Sequence, residues 1–396
     1  MNILIISPGV FPIPALKGGA VEKLIEMLIK SDKITQKHNI TVYTVYDTNI
    51  EDEASKIHCD FEYIKTKRMS YQIKRVIRHI LNRFCHKYIG NQYIYEVKKS
   101  IEKNKKKYDI IIIENEPQYG LIINKVKKNA KMILHLHNDY LNKDVVNAKK
   151  IYDVYDKIWT ISSFIRERVN KIGKDFKKVK TFYNGVDIER FNFNAKEMLK
   201  TREKYDLPKE DFIFMYVGRL AKEKGIGELV EAFKELHNEN AKLLIIGGKQ
   251  NGQERFYKNL KKEISKNQNI IYVGYVNYNE SNKIYGIADV GIVPSICNEA
   301  FGLTLVEFMS LGKPVIISDR GALPEIAGIE KNTRVAVYNK NYVDNLKNEM
   351  KYFLNLKSEN FINIKQQSIN RAKKFTKEIY VENFLTLIEE EKNEKK

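Results

Sequence analysis

Short apolar runs alternate with amphipathic stretches along the first half of the chain. Apolar runs of this kind are typical of strands buried on both faces, and the stretches between them have the apolar spacing of helices. The alternation predicts a parallel sheet covered by helices, which is a doubly wound α/β domain. The predicted strands are 2–6, 40–46, 109–113, 131–135, 157–161 and 178–183.

The same alternation restarts at residue 212 and predicts a second sheet of the same kind. Between the two patterns, residues 191–209 are rich in Asn and Lys and include Pro208, which is typical of a linker. We therefore predict two Rossmann-like domains, residues 1–190 and 191–374, followed by a helical C-terminus. The predicted strands of the second sheet are 212–217, 242–246, 269–273, 290–294, 314–318 and 334–337.

The residues after Pro294 are the strongest candidate for a binding site. Glu299 begins the segment Glu-Ala-Phe-Gly-Leu-Thr-Leu-Val-Glu, which ends at Glu307 and opens a predicted helix. Ligands of open α/β sheets bind at the carboxyl ends of strands, and a helix N-terminus favours a phosphate. Glu307 lies roughly 7 Å inside the helix, which suits a ribose, and Glu299 is left to accept hydrogen bonds from sugar hydroxyls. The segment predicts a nucleotide-sugar site, although two glutamates at this spacing also arise by chance.

Cations and glycines follow two other predicted strands. Arg219 and Lys224 follow strand 212–217, where two cations would stabilise a diphosphate leaving group. Solvated surface charge is the alternative, and it is the interpretation we prefer for Lys222. Gly18 and Gly19 precede a predicted helix where a phosphate could bind, although glycine pairs usually form simple turns.

Histidines and carboxylates follow two strands of the first half. His135 and His137 would point to one side of a persisting strand, but we expect no metal there because no third ligand is nearby in the sequence. Glu114 and Glu116 follow strand 109–113 and either contact an acceptor or cap the loop. No Asp-x-Asp motif follows a strand, so we predict that cations and helix termini meet the phosphate charge without a metal cofactor.

Taken together, the motifs resemble those of the family 4 retaining glycosyltransferases (GT4) along most of the chain. The resemblance implies the GT-B fold, in which two Rossmann-like doubly wound α/β domains face each other across a cleft and a last helix, 375–396 here, returns to the first domain. The matching motifs are Gly18-Gly19-Ala20, His137-Asn138, Ser162, Asn184-Gly185-Val186-Asp187 with Phe191, Gly218-Arg219-Leu220 with Lys224-Gly225, and the segment from Glu299 to Glu307.

This resemblance implies transfer of a hexose-type sugar from a nucleotide sugar, with UDP favoured over GDP, to a hydroxyl of a saccharide or lipid-linked saccharide. The anomeric configuration would be retained, and the product would serve bacterial surface or spore-coat polysaccharide. Retention can use a covalent carboxylate intermediate or same-face attack, which the family generally favours. The implied catalytic residues are Glu299, Lys224, Arg219 and His137. Donor binding would involve Gly18, Gly19, Arg219, Lys224, Tyr275, Val276, Glu299, Ala300, Phe301, Gly302, Leu303, Thr304 and Glu307, and Glu114 and Glu116 are the acceptor candidates.

Composition predicts the number of domain cores and the cellular location of the protein. The 396 residues, 43% of them apolar, can form two domain cores. No run of eighteen apolar residues and no charged leader occurs, so we expect a cytoplasmic protein. The three cysteines are scattered and support neither a disulfide framework nor a zinc site. The net charge of +19 suits nucleic acid, an anionic membrane or anionic substrates, but no nucleic-acid-binding signature accompanies it, so we expect no nucleic-acid partner.

The segment 69–89 is a predicted basic amphipathic helix. It could bind an anionic membrane surface peripherally, or pack its apolar stripe on the sheet and leave the basic face in solvent, and the two interpretations are compatible. We expect weak, salt-sensitive binding to anionic vesicles. The stripe comprises Met69, Ile73, Val76, Ile77, Ile80, Leu81, Phe84 and Tyr88, and Lys74, Arg75, Arg78 and His79 lie largely opposite.

Two other functions remain open. Nucleotide-sugar 2-epimerases share the two-domain architecture, so the fold alone does not choose between them and transferases. An epimerase would convert the nucleotide sugar without an acceptor. A non-catalytic sugar-binding or nucleic-acid-binding protein would not need the full set of phosphate-facing groups.

Overall fold

The computed structural model describes residues 1–84, 88–104, 106–173, 175–191, 194–276, 278–328 and 332–393. The chain divides into two compact units. Unit 1 is Met1–Gly185 with Glu378–Lys396, and unit 2 is Val186–Lys377. The boundaries expected from the sequence, after residue 190 and before residue 375, lie a few residues from these divisions.

Within the described residues, unit 1 contains a sheet of seven parallel strands in the order β3-β2-β1-β4-β5-β6-β7. The order reverses between β1 and β4, and ligands of such sheets bind at that switch point. The strands are β1 (Asn2–Ile6), β2 (Asn39–Val45), β3 (Asp60–Ile64), β4 (Ile110–Glu114), β5 (Lys131–Leu136), β6 (Lys157–Thr160) and β7 (Val179–Thr181).

The sequence analysis missed β3. Its residues Asp-Phe-Glu-Tyr-Ile alternate between polar and apolar side chains, and none of them is fully buried. This is the pattern of an edge strand, whereas the central strands are continuous apolar runs.

The helices of unit 1 include the last helix of the chain, which contributes to the core. Tyr380 stacks on Phe182 with ring centroids 4.6 Å apart, and Phe384 packs edge-on against Trp159 at 6.0 Å. The helices are α1 (Ala20–Ile29), α2 (Asp32–Thr35), α3 (Ile50–Ala54), α4 (Met69–Phe84), α5 (Gln92–Lys103), α6 (Gly120–Ile123), α7 (Ala148–Val154), α8 (Ser163–Asn170) and, at the C-terminus, α17 (Lys377–Asn393).

In the described part of unit 2, six parallel strands follow the order β10-β9-β8-β11-β12-β13, with the switch point between β8 and β11. The strands are β8 (Phe212–Val217), β9 (Ala241–Ile246), β10 (Ile270–Gly274), β11 (Val290–Val293), β12 (Val315–Ser318) and β13 (Thr333–Ala336). The helices are α9 (Ala195–Lys204), α10 (Ile226–Lys234), α11 (Glu254–Ile264), α12 (Tyr278–Tyr285), α13 (Leu303–Ser310), α14 (Leu323–Ala327), α15 (Tyr342–Leu354) and α16 (Ser358–Ala372).

The predicted α/β class with two doubly wound parallel sheets is confirmed. Each sheet has its own buried core, built from the apolar strands and the facing sides of the helices. Among the described helices, none combines the length and the apolar composition that crossing a bilayer requires.

Candidate functional site

The loops that follow β8 and β11 touch each other through their backbones at the switch point of unit 2. The N–H groups of Ile296 and Cys297 donate to the carbonyl of Glu223 at 3.0 and 3.1 Å. A Cβ at Gly225 would lie 1.8 Å from the carbonyl oxygen of Pro294, and Gly225 also has a φ of 68°. Only glycine fits this approach without a backbone shift. The contact fixes the position of Lys224, which precedes Gly225.

Lys224 and Glu299 form an ion pair between these two loops. The Lys224 ammonium donates to Glu299 Oε1 at 2.6 Å, and the Ser295 hydroxyl donates to the same oxygen at 2.5 Å. The Lys224 and Glu299 side chains are 20% and 17% exposed. The structure therefore brings together two residues that the sequence analysis assigned to different parts of a ligand. Ser295 was missed, although its place directly after an apolar strand could have indicated it.

Arg219 lies at the same edge of the sheet with an exposed side chain. Its Nη1 donates to Gln250 Oε1 at 2.5 Å. Its backbone carbonyl accepts a hydrogen bond from the Tyr216 hydroxyl at 2.7 Å, which anchors the residue to the end of β8. Guanidinium and ammonium groups are thus both available at the carboxyl end of β8, where open α/β sheets bind ligands.

The predicted amide cluster lies at the start of α13. Gly302 caps this helix with a φ of 99°, and the N–H groups of Leu303 and Thr304 fall in its first turn, where the α-helical pattern provides no partner. Phe301 is buried and packs edge-on against Phe375 at 5.5 Å, so its side chain is structural. Ala300 is half-buried in the loop. A helix N-terminus of this kind favours an anion.

The backbone of Glu299 is fixed by the loop after β12. The N–H of Ala322 donates to the carbonyl of Glu299 at 2.8 Å, and a Cβ at Gly321 would lie 2.2 Å from that oxygen. This neighbour was also missed, because nothing in the sequence relates Gly321 to residue 299.

Glu307 is more enclosed than a ribose-binding carboxylate was expected to be. Its side chain is 12% exposed, and the Tyr285 hydroxyl donates to Oε2 at 2.6 Å. The guanidinium of Arg190 lies 4.0 Å from Oε1. Tyr285 and Arg190 therefore orient Glu307, and the sequence analysis identified neither residue.

Tyr275 and Val276 follow β10, which β9 separates from β8. Tyr275 is 78% exposed and Val276 is half-buried. Both line a cavity of about 660 Å³ beside α9 and α12. The structure thus places the two predicted base contacts at the end of the edge strand β10.

In unit 1, Gly18 and Gly19 form the turn before α1. Their φ angles are 78° and 95°, a region that favours glycine. The buried carboxylate of Glu22 accepts hydrogen bonds from its own N–H and from that of Phe11, and burial raises its pKa. A phosphate bound at this helix N-terminus would meet that carboxylate. Glu22 was missed, although an acidic residue in a first helical turn is a recognisable capping signal.

Glu114, His135 and His137 form a buried triad at the ends of β4 and β5. Glu114 Oε2 lies 3.0 Å from His135 Nδ1 and 2.8 Å from His137 Nε2. Although burial opposes ionisation of Glu114, the two histidines lower its pKa to about 2. An ionised carboxylate only accepts hydrogen bonds, so both facing imidazole nitrogens carry the proton.

The triad changes two expectations. No third ligand is near His135 and His137 in the sequence, but in space Glu114 completes a set of ligand atoms within 4.8 Å of one another. An ion there would have to displace both imidazole protons. Glu114 is 1% exposed and engaged with both histidines, so it is not open to an acceptor, and the His137 ring faces Glu114 rather than solvent.

Glu116 differs from Glu114 although it lies two residues further on. It is half-buried after β4, and burial raises its pKa to about 7. Near that pH it can both donate and accept a proton.

A second polar feature of unit 1, which the sequence analysis did not identify, is a cavity of about 660 Å³. Asp47 lies in its wall and accepts a hydrogen bond from Lys17 at 2.6 Å, with Lys67 3.5 Å away. The residues that line this cavity are Leu16, Lys17, Asp47, Thr48, Asn49, Asp52, Glu53 and Lys67.

Two doubly wound units, with cations and helix N–H groups at the switch point of the second, have the GT-B architecture. Comparison with known proteins gives the family. Residues 197–375 match the model for glycosyl transferases group 1, and residues 29–190 match the model for glycosyltransferase family 4. The two matches together span most of the chain, which belongs to the GT4-type glycosyltransferases.

Named relatives agree with this assignment. The chain is 23% identical to spore coat protein SA of Bacillus subtilis over 347 residues, 84% of each chain. It is 29% identical to the lipopolysaccharide 1,2-N-acetylglucosaminetransferase of Salmonella typhimurium over 223 residues, which are 54% of this chain and 56% of that protein. The crystal structure of Anabaena HepE in complex with UDP has the same fold, with a TM-score of 0.76 and 16% identity, covering 98% of this chain and 100% of that one.

Acidification should destabilise unit 1 through His137. Burial and the nearby His135 lower the pKa of His137 to about 4 against the opposing effect of Glu114, compared with about 6.5 in an unfolded chain. Below about pH 6.5 the unfolded state therefore binds a proton that the folded state does not, and the free energy of unfolding falls as the pH drops toward 4. Between pH 7 and pH 5 the contribution of His137 to the free energy of unfolding falls by about 2 kcal/mol, the raised pKa of Glu116 offsets this loss in the wild type, and His137→Gln should remove the His137 contribution.

Urea unfolding followed by tryptophan fluorescence measures this effect, because the single tryptophan, Trp159, is fully buried in unit 1. Glu116→Gln is the contrasting control. The raised pKa of Glu116 stabilises the fold on acidification, so removing the carboxylate should steepen the loss. Equal pH dependence in the wild type and in His137→Gln would contradict the assignment.

Proposed function

We propose that this protein is a retaining glycosyltransferase that moves a hexose-type sugar from a UDP-sugar to a hydroxyl of a saccharide or lipid-linked saccharide acceptor. The observation that carries the proposal is the Lys224–Glu299 pair beside the N-terminus of α13, with Arg219 at the same sheet edge. Cations and helix N–H groups suit a diphosphate, and a carboxylate suits sugar hydroxyls. The UDP complex of HepE supports the choice of UDP, and the names of the relatives support a role in surface polysaccharide.

In this proposal the bound donor replaces the ion pair of Lys224 with Glu299 by an ion pair of Lys224 with the diphosphate. A diphosphate carries more negative charge than a carboxylate, so it competes with Glu299 for Lys224. Glu299, still held by Ser295, then accepts hydrogen bonds from the hydroxyls of the sugar. Glu307, oriented by Tyr285, is left for the ribose.

The same groups would lower the barrier to transfer. As the bond between the anomeric carbon and the diphosphate breaks, negative charge grows on the leaving phosphate, and Lys224, Arg219 and the first N–H groups of α13 stabilise it. The acceptor hydroxyl attacks the anomeric carbon from the same face and gives its proton to the departing phosphate oxygen. This sequence retains the configuration and needs no protein nucleophile.

The acceptor side of the proposal uses unit 1. Glu116, with its pKa near 7, is a better acceptor contact than the enclosed Glu114, which would position His135 and His137. The cavity bordered by Lys17, Asp47 and Lys67 offers both charge signs and hydrogen-bonding groups to a saccharide.

The donor class is tested with a panel of UDP- and GDP-sugars. A bound donor stabilises the native state by mass action, so a UDP-sugar should raise the melting temperature more than the GDP-sugar with the same hexose. Incubation of the donor without acceptor, followed by product analysis, should return the same nucleotide sugar. A new epimer in that reaction would identify an epimerase and overturn the proposal.

Removal of the Lys224 ammonium should reduce transfer strongly. We expect Lys224→Ala and Glu299→Ala each to lower kcat by roughly 10²- to 10³-fold, the scale of other transition-state charge contacts. Lys222→Ala is the matched control, because Lys222 lies in the same turn with an exposed side chain. A Lys224→Ala enzyme as active as the control, with an unchanged fold, would refute the leaving-group role.

Transfer should continue in the presence of excess chelator. The charge on the diphosphate would be met by Lys224, Arg219 and helix N–H groups, so no divalent ion is needed. Metal analysis of the purified protein accompanies the assay, since the buried triad of Glu114, His135 and His137 is a possible site. Complete loss of activity that manganese restores would contradict the proposed mechanism.

A further inference from the structure

The helix α4 turns its apolar side away from the protein. The six apolar side chains of its outer stripe are between 46% and 79% exposed. Stable surface helices of soluble proteins have the opposite arrangement, with the apolar stripe packed on the core. The stripe consists of Met69, Ile73, Val76, Ile77, Ile80 and Leu81. Residues 85–87 and the side chain of Phe84, which belonged to the predicted segment, lie outside the described residues.

Polar side chains hold the other side of α4 against unit 1. Arg78 lies 3.7 Å above the Tyr95 ring and donates to the carbonyl of Ile89 at 3.1 Å. Asn82 donates to the carbonyl of Gly90 at 2.9 Å and accepts from the N–H of Ile89 at 2.9 Å. At 100° per residue, Arg78 and Asn82 fall opposite the centre of the apolar stripe. The helix is therefore docked by its polar face, and the sequence-based alternative, in which the stripe packs on the sheet, is wrong.

The charge of α4 indicates what kind of partner covers its apolar stripe. The helix contains no Asp or Glu, and at 100° per residue the exposed residues Lys74 and Arg83 flank the stripe. A second copy of the chain would bring like charges together, in a protein whose net charge is already +19. An anionic bilayer matches both the apolar stripe and the positive charge, since its acyl region accepts the stripe and its headgroups attract the flanking cations.

We propose that the apolar stripe of α4 inserts into the surface of an anionic membrane, with Lys74 and Arg83 at the headgroups. This goes beyond the electrostatic attraction expected from the sequence, because apolar insertion provides binding that salt does not screen. A membrane-held enzyme would meet a lipid-linked acceptor in the same plane. The donor groups of unit 2 take no part in this contact, so its failure would leave the proposed transfer reaction intact.

Sedimentation with vesicles tests the proposal on the full-length protein. The probes are pure phosphatidylcholine vesicles and vesicles containing phosphatidylglycerol, each at low and high salt. The wild type should bind the anionic vesicles at both salt concentrations, with weaker binding at high salt. The variant Ile73→Gln/Ile77→Gln/Ile80→Gln should bind at least about tenfold more weakly at both concentrations, because each side chain loses apolar area for insertion.

Two further variants separate the electrostatic from the apolar contribution to vesicle binding. Lys74→Gln/Arg83→Gln should lose the preference for anionic vesicles and keep the salt-resistant part of the binding. The variant Val146→Gln/Phe176→Gln/Ile362→Gln removes three exposed apolar side chains elsewhere and should bind like the wild type. All the substituted side chains are exposed, so melting temperatures should change little.

Three results would overturn the proposal. They are absence of vesicle binding by the wild type, equal binding by the α4 stripe variant and the control, and a wild-type dimer in sedimentation velocity that the stripe variant loses without any vesicle binding. The last result would identify a second copy of the chain as the occupant.

Discussion

The candidate donor site depends on a close backbone approach at the switch point of unit 2. Gly225 allows its loop to reach the carbonyl of Pro294, and the N–H groups after Pro294 bond to Glu223. Any side chain at this position would separate the loops after β8 and β11. Because Lys224 and Glu299 belong to different loops, their 2.6 Å contact exists only while that approach is kept. The chemistry proposed for unit 2 therefore rests on a glycine that touches no ligand.

The second constraint is burial, which gives chemically identical carboxylates different properties. Glu114 is enclosed and meets two imidazole donors, so its pKa falls, whereas burial raises the pKa of the half-buried Glu116. In unit 2, Glu299 faces an ammonium group and Glu307 faces a phenol hydroxyl. Each side chain can therefore play only the role that its surroundings allow, and residue type alone does not determine that role.

The sequence predicted much of the fold, because continuous apolar runs and helical spacing are local properties. All predicted strands exist with end shifts of at most one residue, except that the strand predicted at 178–183 is shorter, and among the strands of the described residues only the half-polar edge strand β3 was missed. The ends of β8, β11 and β4 were correctly expected to carry polar groups. What the sequence could not supply was pairing across loops. Tyr285, Arg190 and Gly321 acquire their roles only from neighbours distant in the chain.

The helix α4 also shows what a sequence pattern cannot predict. Its amphipathic pattern predicted a helix correctly, but periodicity does not say which face meets the protein, since either face can be buried when the partner surface matches it. Here Tyr95 and the backbone around Gly90 offer a ring face and carbonyl groups, which match Arg78 and Asn82 rather than isoleucine. The polar face is consequently the docked one. An apolar stripe left in water is unfavourable by itself, so its presence beside flanking cations is best explained by a function that covers it.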